Sequence, residues 1–133
     1  MKLKNVRIPA MAVVLLSASF AALAQESTAT VSLGDLYERY ADADYSSMAM
    51  PEFGQEITVS GIALDVPQSL AGNALLSAGE EGWSDELARL TAVDDSESRK
   101  LEALQPGEAF TAVCTLGMTS NSPEMSLQDC TFK

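Results

Sequence analysis

Three kinds of side chain in this sequence could do chemistry: a pair of thiols, a scatter of aromatic rings and a large surplus of carboxylates. The thiols are Cys114 and Cys130. Two cysteines in a small domain of an oxidising compartment are expected to form a disulfide. A metal pair or free thiols are the alternatives, but a metal site wants further ligands and the chain contains no histidine. The missing histidine also removes the commonest general base near neutral pH. If the thiols are bridged, cysteine nucleophiles are lost as well. No Gly-x-Ser-x-Gly, phosphate-loop or paired-carboxylate motif stands out. The chain is therefore expected not to be an enzyme, with no catalytic residue, no cofactor and no metal site.

The carboxylates and rings leave binding as the available chemistry. Asp42 with Asp44, or Asp94 with Asp95 and Glu97, could offer oxygens to Ca²⁺. Neither group matches the twelve-residue calcium loop, and Asp94 and Asp95 serve equally well as turn and cap residues. Among the rings, Trp83, Tyr45 and Phe53 are the candidate binding residues. Trp83 lies in a Gly82-Trp83-Ser84 turn where burial is not assured, either plugging a core or offering a stacking platform. Glu80, Glu81, Asp85 and Glu86 surround it, so phosphate would be a poor guest there.

Charge and address narrow the partners. Lys2, Lys4 and Arg7 precede an apolar run from Ile8 to Leu16 that resumes to Leu23 and closes on Ala22-Leu23-Ala24. A basic start, a short apolar stretch and a small-x-small exit describe a signal peptide, with cleavage expected after Ala24. The run is short for a membrane span, and no cysteine near the exit could carry a lipid. The expected organisation is a signal peptide over 1–24, a flexible N-terminus over 25–31 and one folded domain over 32–133, in a periplasmic or secreted protein. Of the 133 residues, 109 remain after Ala24, enough for one core. All 19 acidic residues fall in that part beside only five basic ones (Arg39, Arg89, Arg99, Lys100 and Lys133), a net charge of −14. Nucleic-acid binders draw much of their affinity from Lys and Arg against phosphates, so nucleic acid is an unfavoured partner.

The elements that must position these residues follow from periodicity. Ser32, three residues before Asp35, opens a helix whose Leu33, Leu36, Tyr37 and Tyr40 share a face, ending near Ser46. Gln55 to Val66 is a strand in which the apolar parity changes at Gly61, the mark of a bulge or sharp bend. Asn73–Ala78 and Glu86–Val93 are further strands around a Gly79–Gly82 turn. Asp95 or Ser96 could cap a short helix through Leu104, stopped by Pro106-Gly107. Glu108–Met118 alternates strictly, with Phe110, Ala112, Cys114, Leu116 and Met118 on one face, and Glu124–Phe132 is the last strand. If Thr119 pairs with Met125, Cys114 lies opposite Cys130, within reach of a cross-strand bridge. The expected core is Leu36, Tyr40, Ile57, Val59, Ile62, Leu64, Leu75, Leu90, Leu101, Leu104, Phe110, Ala112, Leu116 and Leu127.

Strand-strand-strand-helix-strand-strand is the order of an oligonucleotide/oligosaccharide-binding (OB) barrel. The expected fold class is mainly β: a five-stranded OB-fold barrel with an N-terminal helix and a short helix between its third and fourth strands. Tyr40-Ala41-Asp42-Ala43-Asp44-Tyr45, then Ile57-Thr58-Val59-Ser60-Gly61, Leu104-Gln105-Pro106-Gly107, a strand bearing Cys114, and a closing Leu127-Gln128-Asp129-Cys130 sharpen the match. In their order and spacing these segments resemble the tRNA-anticodon-like family of exported OB-fold proteins and lipoproteins. The resemblance covers nearly all of 32–133 and implies mostly a fold; this chain departs from the lipoprotein pattern in lacking a cysteine at the cleavage point. The expected function is an exported, non-catalytic binding module for a protein, a small molecule or a glycan. Oligonucleotide binding is the alternative.

Overall fold

The computed structural model describes residues 29–67 and 72–133. The expected signal peptide and its cleavage point lie outside the described residues. The chain runs β1 (Thr30–Ser32), α1 (Leu33–Asp42), a 3₁₀ turn (Ser47–Ala49), β2 (Glu56–Asp65), β3 (Leu76–Gly79), β4 (Ala88–Ala92), α2 (Asp95–Glu102), β5 (Ala109–Leu116) and β6 (Met125–Phe132).

Both helices start on side-chain caps. Ser32 Oγ accepts from the Asp35 N–H at 3.1 Å, as the spacing predicts. The second cap is Asp94, one residue earlier than expected, accepting from the Glu97 N–H at 2.9 Å. Helix α1 ends at Asp42, short of Ser46, because Asp44 and Tyr45 both turn into the left-handed region.

The strands hydrogen-bond in the order β2-β3-β4-β6-β5, and β5 returns to β2 to close the barrel. β4 and β6 run parallel, while the other barrel pairs are antiparallel. This is the closed five-stranded sheet of an OB fold, with α2 between its third and fourth strands. β2 serves both halves: its residues 56–62 pair with β5, and Ile62–Asp65 pair with β3. β1 is an unforeseen sixth strand, parallel to β2 at Thr58–Ser60. Thr30 and Val31, expected within a flexible leader, are therefore tied to the sheet.

The core corrects the parity argument at Gly61. Val59 and Ala63 are both buried and keep one phase, while Ile57, Ile62 and Leu64 are half-buried. The register slips later, between Ala63 and Asp65. Gly61 serves close approach instead. A Cβ there would stand 2.7 Å from both the Gly79 carbonyl oxygen and Leu33 Cδ1. In β3 the phase is one residue off the expectation, so Leu76 is buried and Leu75 half-buried. Leu104 is partly buried, and Met118, past the end of β5, is exposed. Leu36, Tyr40, Val59, Leu90, Leu101, Phe110, Ala112, Leu116 and Leu127 are buried as expected. A fully buried Leu contributes roughly 1.5–3 kcal/mol relative to an exposed one, so these side chains dominate the barrel's cohesion.

Cys114 and Cys130 are bonded, fully buried, with Cα atoms 4.1 Å apart. The route to that pairing differs from the expected hairpin. Near the turn Leu116 faces Leu127, one residue out of the expected register. A bulge between Val113 and Thr115 then absorbs one extra residue, with Asp129 at φ 53°. Ala112 consequently faces Phe132, and the cysteines meet.

Candidate binding recess

The segment after α1 and the β5–β6 loop are stitched together into one surface. The Ser47 N–H donates to Thr119 O at 3.1 Å. Ser47 Oγ, fully buried, donates to Gly117 O at 2.7 Å and accepts from the Thr119 N–H at 2.8 Å. The buried Tyr40 hydroxyl donates to Ser122 O at 2.8 Å and touches Thr119 Oγ1 at 3.0 Å. The Tyr37 hydroxyl donates to Pro123 O at 2.7 Å.

This stitching holds Tyr45 in a strained pose. Asp44 and Tyr45 both have φ 59°, and Asn121 across the gap has φ 58°. Such a conformation costs on the order of 1–3 kcal/mol per non-glycine residue and persists only where its surroundings enforce it. Here the Tyr45 N–H donates to Tyr40 O at 3.0 Å and the Asn121 N–H donates to Tyr45 O at 2.8 Å. The result is a cluster of three rings, Tyr37, Tyr40 and Tyr45, with centroids 5.6–6.2 Å apart. Tyr40 is sealed inside, while Tyr45 remains 40% exposed.

Two recesses open on this surface and share Tyr37 and Pro123. One, of about 320 Å³, lies between Tyr37, Tyr45 and the Asn121–Pro123 loop. The other, of about 400 Å³, is bounded by Tyr37, Trp83, Leu87 and Pro123, with the carboxylates of Asp85, Glu86 and Glu124. Together they form a strip from Tyr45 past Tyr37 to Trp83, which is 41% exposed. Of the three ring residues expected to bind, Tyr45 and Trp83 are thus brought to one strip. Phe53 is exposed in the turn before β2 and lines neither recess.

The electrostatics are one-sided. Arg89 donates to Glu86 from Nε at 2.9 Å and Nη2 at 3.1 Å, and its Nη1 lies 3.4 Å from Glu124. Burial opposes the charge on Glu86, but hydrogen bonds from Arg89 and Ser77 and the Arg89 charge outweigh it and hold the carboxyl below its ordinary value. Burial, then the neighbouring phenols Tyr45 and Tyr40, then Asp85 and Glu124 push the Tyr37 phenol above its ordinary value. A negative charge is disfavoured here.

Two of the remaining candidates, Asp94 and Glu97, have structural roles. Asp94 caps α2, and Glu97 accepts from the Phe132 N–H at 2.7 Å and from Lys100 at 3.0 Å, so these oxygens hold the fold together. A recess of about 370 Å³ near Gly61 and Lys133 includes Glu80, whose carboxylate accepts from the Gly34 N–H at the start of α1. Sequence reasoning missed Tyr37, Asn121 and Pro123 as site residues. Tyr37 reads as core in a helical period, and nothing local links it to a loop more than eighty positions away.

No protein-family description and no curated protein matches this chain. Among solved structures it is similar to a lipoprotein from Klebsiella pneumoniae subsp. pneumoniae, described provisionally as nucleic acid-binding. The match has a TM-score of 0.65 and 19% identity, over 80% of this chain and 92% of that one. It is also similar to part of a chain from Leishmania major Friedlin described provisionally as an aspartyl-tRNA synthetase, with a TM-score of 0.51 and 8% identity. That match takes in 87% of this chain but 22% of the other. At these identities the likeness concerns the fold. The barrel is of the OB type.

Proposed function

We propose that this chain is an exported, non-catalytic OB-fold binding module, akin to the tRNA-anticodon-like barrels, that holds a protein, small-molecule or glycan ligand on the Tyr45–Tyr37–Trp83 strip. The observation that carries this reading is the strip itself: two half-exposed rings joined through Tyr37, with backbone strain maintained at Tyr45 by a hydrogen-bonded loop. Ligand sites are concave and largely apolar with a few placed polar groups, and this surface has that character. The buried disulfide and the lipoprotein likeness support a location outside the cytoplasm. The basic start and the Ala22-Leu23-Ala24 exit support cleavage after Ala24.

Oligonucleotide binding is the second reading, favoured by the description of the Klebsiella lipoprotein. Charge and composition weigh against it. OB barrels commonly read oligonucleotides across their second and third strands. Here those are β3, Leu-Ser-Ala-Gly, and β4, Ala-Arg-Leu-Thr-Ala, with no ring on which a base could stack. Their one cation, Arg89, is engaged by Glu86 and Glu124.

The chain's single tryptophan, Trp83, makes occupancy visible by fluorescence. Titrating the exported protein with chitohexaose, hexalysine and an oligothymidylate tests both readings. The proposal expects a saturable change with the glycan or the peptide, weakened in Tyr45→Ala and kept in Phe53→Ala. A response to oligothymidylate alone, collapsing as salt rises, would replace it with the second reading.

A further inference from the structure

We propose that the recess between Tyr37 and Trp83 receives the cationic side chain of a basic protein segment, a lysine or arginine head resting against the rings with Asp85 as its counter-charge. This rests on the strip being a binding surface and adds the chemistry of its occupant.

The argument is one of complementarity. Cations are attracted to the faces of aromatic rings, to tryptophan most strongly. Trp83 is 41% exposed and shares its recess with Tyr37 and three carboxylates. The nearby guanidinium of Arg89 does not cancel them. It is bound to Glu86 through two hydrogen bonds and leans on Glu124, leaving Asp85 and the summed charge of the wall negative. That arrangement also illustrates the wall's preference, since its carboxylates already hold a guanidinium from within the chain. An anionic occupant would face Asp85, Glu86 and Glu124 beside a phenol that itself resists ionisation. On a larger scale, a net charge of −14 after Ala24 draws basic partners to the surface.

A basic side chain suits this recess better than a bare metal ion. Exposed Pro123 and the partly exposed rings of Tyr37 and Trp83 offer apolar surface on which the methylene stem of Lys or Arg can lie while its head stays near water. Hard divalent ions instead want six or more oxygens closely gathered. Among the described residues no group of three or more His, Cys, Asp or Glu is poised to hold a metal.

Hexalysine, followed through Trp83 emission, is the probe. Asp85 is exposed, so Asp85→Asn removes one charge without disturbing the core. Glu102→Gln, at the exposed end of α2, removes the same charge elsewhere. The expected result is saturable binding, weakened roughly three- to fivefold by Asp85→Asn and barely by Glu102→Gln. Equal weakening by both variants would mean diffuse attraction and would overturn the proposal. So would a flat hexalysine titration. If chitohexaose then binds in a Tyr45-dependent way, the cationic occupant is wrong and the binding strip stands. If only oligothymidylate gives a response, and Tyr45→Ala leaves it unchanged, both fall.

Discussion

Ser47 is the buried polar residue on which the recess depends, and its removal gives the sharpest test of the structure. Its hydroxyl is completely enclosed, donating to Gly117 O at 2.7 Å and accepting from the Thr119 N–H at 2.8 Å. Ser47→Ala leaves the buried Gly117 carbonyl and the half-buried Thr119 amide without their partner. A buried group left unsatisfied costs about 1–3 kcal/mol. The Ser47 N–H to Thr119 O bond survives, and the loop can relax toward water, so the sum should fall near 2–3 kcal/mol rather than at its upper limit. Against a total stability of roughly 5–15 kcal/mol this is a large fraction. For a domain of this size it corresponds to a fall in Tm of roughly 10–20 °C. Urea unfolding followed by Trp83 emission measures it, with the exposed Ser120→Ala as a control expected within about 0.5 kcal/mol of the unaltered protein. A Ser47→Ala protein as stable as that control would refute the claim that this hydroxyl fastens the β5–β6 loop.

Gly61→Ala should destabilise by about 1–3 kcal/mol, because its Cβ meets the Gly79 carbonyl, which cannot yield. Gly117→Ala should cost far less, since the obstacle there is the flexible Gln128 side chain; thermal unfolding of the two variants separates them. Removing the disulfide with Cys114→Ala and Cys130→Ala together should lower stability by roughly 3 kcal/mol, the chain-entropy value for a crosslink spanning 16 positions, measured by urea unfolding. Glu97 is held below its ordinary pKa chiefly by the Phe132 N–H and then by Lys100. A carboxylate depressed in the folded state stabilises above its unfolded pKa of about 4.3, and that contribution is lost as pH falls through and below this value. The Tm of the unaltered protein should therefore drop more steeply between about pH 5 and pH 3 than that of Glu97→Gln.

Much of the barrel was legible because β5 and α1 carry their instructions locally. The alternation from Phe110 to Leu116 and the Ser32–Asp35 cap each need only near neighbours. The disulfide was legible in its partners but not in its path, because the Asp129 bulge that brings them together compensates for a one-residue error in the expected hairpin. β1 was hidden for a different reason: three residues with no apolar alternation of their own become a strand only by pairing with Thr58–Ser60. The parity change at Gly61 was misread because the glycine's constraint comes from Leu33 and Gly79, which no local pattern connects to it. The recess was half legible. Trp83 was marked by its place in a polar turn, and Tyr45 only as one of the candidate rings. Tyr37 was concealed by its helical period, and Pro123 reaches it only through the folded β5–β6 loop. Phe53 shared the same surface character yet stands apart, since exposure alone does not say which rings converge.

The claim that the Tyr45–Tyr37–Trp83 strip is the binding surface is tested most directly by amide chemical-shift mapping of the isotopically labelled protein as hexalysine is added. The account predicts saturable perturbations confined to Tyr37, Tyr45, residues 83–87 and residues 121–124. Perturbations spread evenly over the acidic surface, or gathered on β3 and β4 away from these residues, would contradict it.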